Sequence, residues 1–155
     1  PWKGRSTVSL RFLLDTNVVS QPLAPVPNPR VLTEFEKHEG EIAIAAVVWN
    51  ELIFGARRLP HSRRRQAIER YLAEVVEPSL PILPYDAAAA AWHGEERARL
   101  QAVGLTPAYA DGQIAAVAKV NGLFLVTRNL ADFEDFQGLE LENWFADSEG
   151  VHSGS

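Results

Sequence analysis

The sequence predicts an α/β domain built on a parallel sheet with helices on both faces. Short apolar runs at residues 12–14, 42–45, 81–84 and 123–126 lack polar alternation, as strands buried on both faces do. Between them lie stretches with helical spacing, punctuated by proline and glycine, and this alternation is that of βαβ units. The length of 155 residues suits one domain with a real core and is short for two.

In chain order, residues 1–9 and 147–155 are polar or small and are read as flexible tails, leaving 10–146 as a single domain. The first strand, 12–14, stops abruptly at Asp15-Thr16-Asn17. A proline-rich connection over 22–29 leads to a helix that Asn28-Pro29 opens and Gly40 ends. After the second strand, 42–45, a helix runs from about 47 to 59, where Pro60 interrupts it. The next spans 61 to about 76, with Ile68, Tyr71, Leu72 and Val75 on one stripe, and Pro78 closes it. The third strand falls in 81–84. Asp86 then has the position of a cap before an alanine-rich helix, 87 to about 103, that Gly104 ends. A last helix from about 107 to 121 has Gly122 as its C-cap and leads into the fourth strand, 123–126. The remainder, 127–145, is a loop with a helical turn at 130–133 and a final short apolar stretch.

Composition narrows the chemistry. The chain has 46% apolar and 23% charged residues, no run long enough to span a membrane and no secretion signal, so a cytoplasmic location is expected. With no cysteine there are no disulfides, thiolate zinc sites or cysteine nucleophiles, and any metal must be held by oxygen or histidine. His38, His61 and His93 lack metal-ligand spacing and receive no role. There is no phosphate-cradling glycine loop, GxGxxG or nucleophile elbow. The net charge of −5 leaves nucleic-acid binding to local patches.

The informative residues are acids in unusual places. Asp15 stands at the carboxyl end of a strand, where ligands sit in parallel α/β sheets. Glu51 has Val47, Val48, Phe54 and Gly55 as helical neighbours, and Asp111 has Ala108, Ile114, Ala115 and Ala118, so both carboxylates are expected to point inward. Asp132 follows the fourth strand. All four positions fall along one rim, where like charges repel unless divalent cations neutralise them. Oxygen-only ligation suits Mg²⁺ or Mn²⁺, which polarise phosphoryl oxygens and activate water, so phosphodiester hydrolysis is the natural chemistry. The competing structural reading pairs Glu51 and Asp111 with arginines in buried salt bridges and lets Asp132 cap a turn while Asn129 takes the rim position. Arg57, Arg58, Arg63, Arg64, Arg65 and Arg70, against Glu69, form either a solvated helix face or a surface for an RNA backbone. Thr16 is given no part.

With those residues in hand, the chain resembles the PIN-domain ribonucleases, specifically the VapC- or FitB-like toxins of type II toxin–antitoxin systems. The resemblance covers about residues 11–145. It rests on Leu13-Leu14-Asp15-Thr16-Asn17-Val18-Val19-Ser20, Val47-Val48-Trp49-Asn50-Glu51-Leu52 with Gly55, Ala110-Asp111-Gly112-Gln113-Ile114-Ala115-Ala116, and Thr127-Arg128-Asn129 with Asp132-Phe133. It implies a three-layer α/β/α sandwich with a mainly parallel sheet, a homodimer, and Mg²⁺- or Mn²⁺-dependent endonucleolytic cleavage of RNA, inhibited by a small cognate antitoxin. By position it makes Asp15, Glu51 and Asp111 the metal-binding acids, with Asp132 as the fourth. Asn17 and Thr127 match the residues that orient them, and Arg63, Arg64, Arg65 and Arg128 are candidates for RNA contact. Relatives differ in the fourth acid, some carrying it where this chain has Asn129. Two rivals remain. An aspartyl-phosphate phosphatase of the haloacid dehalogenase type wants a second acid at position 17, which is Asn here. A catalytically silent binding module would keep the fold with its acids paired to arginines.

Overall fold

The structure is a computed structural model that describes residues 9–145, so the expected tails, Ser9 apart, lie outside the described residues. Five strands, β1 (Phe12–Leu14), β2 (Ile42–Ala45), β3 (Ile82–Leu83), β4 (Phe124–Val126) and β5 (Leu141–Glu142), form one parallel sheet in the order β3-β2-β1-β4-β5. Every residue of β1 and β2 is buried, which requires cover on both faces of the sheet. Helices supply it. They are α1 (Thr16–Val19), α2 (Pro29–Lys37), α3 (Ala46–Arg57), α4 (Arg63–Tyr71), α5 (Ala87–Ala102) and α6 (Tyr109–Val120). The core gathers Phe12, Leu13, Leu14, Ile44 and Leu125 from the strands with Val48, Leu100, Ile114 and Val117 from the helices.

The local signals act as their chemistry dictates. The Asn28 side chain accepts from the N–H groups of Arg30 and Val31, and that of Asp86 accepts from Ala89 N–H at 2.9 Å. Gly40, Gly104 and Gly122 take positive φ just past their helices. Two expectations are corrected. The first strand does not run straight into an irregular connection, because Asp15 caps the short helix α1 before the proline-rich segment. Pro78 also does not close the fourth helix: α4 continues through a π-helical turn, Leu72–Val76, into a last turn, Glu77–Ser79. Pro78 is the second residue of that last turn. Among the described residues no helix is long and apolar enough to cross a membrane.

Candidate active site

The chain proceeds outward from β1 through β2 to β3, then returns to the other side of β1 with β4. The crevice beyond the carboxyl ends of β1 and β4 is therefore the topological switch point, where open α/β sheets bind ligands. Asp15 is the residue after β1 and Thr127 the residue after β4. The Asp15 N–H donates to Val126 O at 2.9 Å, which joins the two strand ends. Its Oδ1 accepts from Thr16 N–H at 2.8 Å, and its Oδ2 from the Thr127 hydroxyl at 2.8 Å. Thr127 is fully buried and its Oγ1 accepts in turn from Asn129 N–H at 3.0 Å. Asn17 ties the same strand ends from outside, its Oδ1 accepting from Arg128 N–H at 3.3 Å.

Burial pushes the Asp15 carboxyl above the usual carboxylate range, against the two hydrogen bonds and reinforced by the charges of Glu51 and Asp132. Asp111, half-buried in the first turn of α6, is pushed up to about 6 by burial and then by the charges of Asp132, Asp15 and Glu51. Among the described residues no protein group donates a hydrogen bond to Asp111. Asp132 ends the 3₁₀ turn Leu130–Asp132, is exposed, and acts on both Asp15 and Asp111. Asn129 gives the site its backbone N–H, through Thr127.

Glu51 departs from the inward orientation expected of it. It is exposed, and so is Phe54 one turn on, although Val48 one turn back is buried in the core. Its place is set by Thr16, whose hydroxyl donates to Glu51 Oε1 at 2.8 Å while its N–H holds Asp15. Thr16 is thus a residue that sequence reasoning missed. The available signal was that a residue just after a capping Asp offers both a free N–H and a side chain to its neighbours. Gly112 is the other: a Cβ there would overlap the buried His93 ring, so only glycine lets α6 approach α5 this closely beside Asp111.

The salt-bridge reading of the acids fails. Among the described residues the ion pairs join Arg11 to Glu41, His38 to Glu34 and Glu41, Arg57 and Arg65 to Glu69, and Arg99 to Glu96. None reaches Asp15, Glu51, Asp111 or Asp132. Nor do three acids or histidines of the described residues converge tightly enough to chelate an ion unaided. Uncompensated, loosely spaced carboxylates with spare lone pairs fit Mg²⁺, which keeps several waters and takes one or two carboxylates together with substrate phosphate.

The arginine candidates divide. Arg63 and Arg64 are exposed at the start of α4. Arg65 is not available to RNA, since its Nε donates to Glu69 at 3.1 Å and its Nη1 to Leu59 O at 3.0 Å, leaving the side chain 14% exposed. Arg128 is exposed at the crevice, its guanidinium 4.6 Å from the centre of the Phe145 ring.

Residues 12–139 match the family model described as PIN domain. The chain is 35% identical over 136 residues to the tRNA(fMet)-specific endonuclease VapC of Shigella flexneri, covering 87% of this chain and 98% of that protein. It is 35% identical over 125 residues to the toxin FitB of Neisseria gonorrhoeae, covering 79% and 90%. The crystal structure of FitAcB from Neisseria gonorrhoeae superimposes with a TM-score of 0.81 at 31% identity, covering 88% of this chain and 99% of that one.

Proposed function

This chain belongs to the PIN-domain family, and from that premise we propose that it is a divalent-metal-dependent endoribonuclease acting as the toxin of a toxin–antitoxin pair. One observation carries the proposal: four carboxylates share the switch-point crevice, and among the described residues no cation of the protein neutralises them. Mg²⁺ or Mn²⁺ held by Asp15, Glu51, Asp111 and Asp132 would supply the missing positive charge, polarise the scissile phosphate and activate water. The chain's own residues do the rest. Thr127 and the Thr16 N–H fix the Asp15 carboxylate from both oxygens, and the Thr16 hydroxyl draws Glu51 to the same edge. Asp111 presents an oxygen pair to which nothing among the described residues donates. Arg63, Arg64 and Arg128 are exposed cations open to an RNA backbone.

Asn17 also counts against the phosphatase reading. Its side chain is committed to the Arg128 backbone, and an amide there cannot act as the second acid. A small antitoxin and a second copy of the chain complete the proposal. Exposed Phe54, one turn from Glu51, and exposed Tyr109, at the start of α6, offer apolar surface beside the crevice for partners to cover.

The test is RNA cleavage by the purified protein with Mg²⁺, with Mn²⁺ and with chelator, for wild type, Asp15→Asn and Asp111→Asn. Divalent-dependent cleavage lost in both folded variants is expected. Wild-type cleavage with unchanged Mn²⁺ affinity in either variant would sink the site.

A further inference from the structure

Glu96 is a buried carboxylate with no part in the proposed reaction. It lies on the inner face of α5 with Ala89, His93 and Leu100, and is 7% exposed. Its Oε2 accepts from Arg99 Nε at 3.0 Å, and its Oε1 from Arg99 Nη2 at 2.8 Å and from Gln137 N–H at 2.8 Å. The same Nη2 donates to Asp135 O at 2.8 Å. Two side chains one turn apart on α5 thus grip the 135–137 backbone by both its C=O and its N–H. Around the grip, Phe133 and Phe136 are buried, and Phe136 lies 6.0 Å from Trp92 of α5. The gripped segment is continuous with the turn that carries Asp132.

Stability alone does not require an ion pair here, because apolar side chains of similar volume hold a loop to a helix as well. A two-point Arg–carboxylate pair adds direction: it sets the register of the backbone it grips. We propose that Glu96 and Arg99 are positioning residues for the fourth acid, clamping the loop after β4 so that Asp132 stands beside Asp15 and Asp111. This rests on the reading of that crevice as a metal-dependent nuclease site.

The experiment compares Glu96→Gln and Glu96→Ala in wild-type and Asp132→Asn backgrounds. Glu96→Gln keeps the shape and an acceptor for Gln137, so it serves where Glu96→Ala unfolds. Amide exchange across residues 130–137, and kcat and KM for RNA cleavage, are read for each. Glu96→Gln is expected to speed exchange in that loop and to lower kcat about tenfold with KM within about twofold, and to cost less than about twofold once Asp132 is Asn. An equal loss in both backgrounds, an unchanged kcat in folded Glu96→Gln, or full activity in Asp132→Asn overturns the clamp. If chelator and Asp15→Asn also leave cleavage intact, the reading of the crevice as a metal-dependent nuclease site fails; if they abolish it, the clamp alone has failed.

Discussion

Asp15 and Glu96 are buried to nearly the same degree, 8% and 7% exposed, yet their carboxyls move in opposite directions. Burial raises both. Glu96 meets a guanidinium and a backbone N–H, and its carboxyl ends below the usual range, with the Arg99 hydrogen bonds as the largest cause. Asp15 meets two uncharged donors and the charges of Glu51 and Asp132, and ends above it. One charge is completed within the protein; the other is left for something else to complete. A buried acid is therefore a poor sign of function until its partners are counted.

The strongest way to break this contrast is to remove the unfinished charge. Asp15→Asn should lower divalent-dependent RNA cleavage on the order of a thousandfold while leaving the fold intact, measured by single-turnover kinetics beside circular dichroism. Thr127→Val, which deletes the buried hydroxyl on Asp15, should cost about 10–100-fold in kcat with KM little changed. An unmoved kcat would mean that Asp15 needs no orienting partner.

A smaller effect tests the support under Asp111. Gly112→Ala forces a methyl into the His93 ring, and should destabilise by about 1–3 kcal/mol, lowering Tm by about 2–10 °C. The smallest is a matter of pH. Folded Asp111 keeps its proton to about pH 6, whereas the unfolded chain releases it at the ordinary value. The folded state then binds the extra proton between those values, so metal-free stability falls as pH rises through that window. Glu96 runs the other way, contributing stability above its ordinary value that is lost as pH falls through its lowered one. Thermal melts from about pH 5 to 7 should show a fall in wild type that is weaker in Asp111→Asn and is removed by added Mg²⁺. Identical slopes in the two proteins would place the titration elsewhere.

Much of the fold was legible because its signals are local. Asn28, Asp86 and the glycines after helices act within one turn, and the apolar runs of β1, β2 and β4 need no distant information to read as buried strands. The π-helical turn and the helix past Pro78 were not legible, because packing decides whether a chain continues through proline. Among the acids, Asp15 and Asp111 could be picked out from their surroundings in sequence. Glu51 was picked out for a wrong reason: its apolar helical neighbours suggested burial, whereas of them only Val48 is buried, and Glu51 and Phe54 are exposed.

The sequence by itself determined that the chain alternates strands and helices, that metal chemistry here must use oxygen or histidine, and which acids stand at strand ends. Those follow from short-range sterics, from residue inventory and from hydrophobic periodicity. Only the tertiary structure decided which charges are completed. Glu96 and Gln137 are 41 residues apart, and Asp15 and Thr127 are 112 apart. The strand order β3-β2-β1-β4-β5 brings the second pair together at a crevice, and the packing of the loop on α5 brings together the first. A hydrogen bond acts over about 3 Å, so whether a carboxylate is satisfied is a property of neighbours in space that spacing along the chain does not contain.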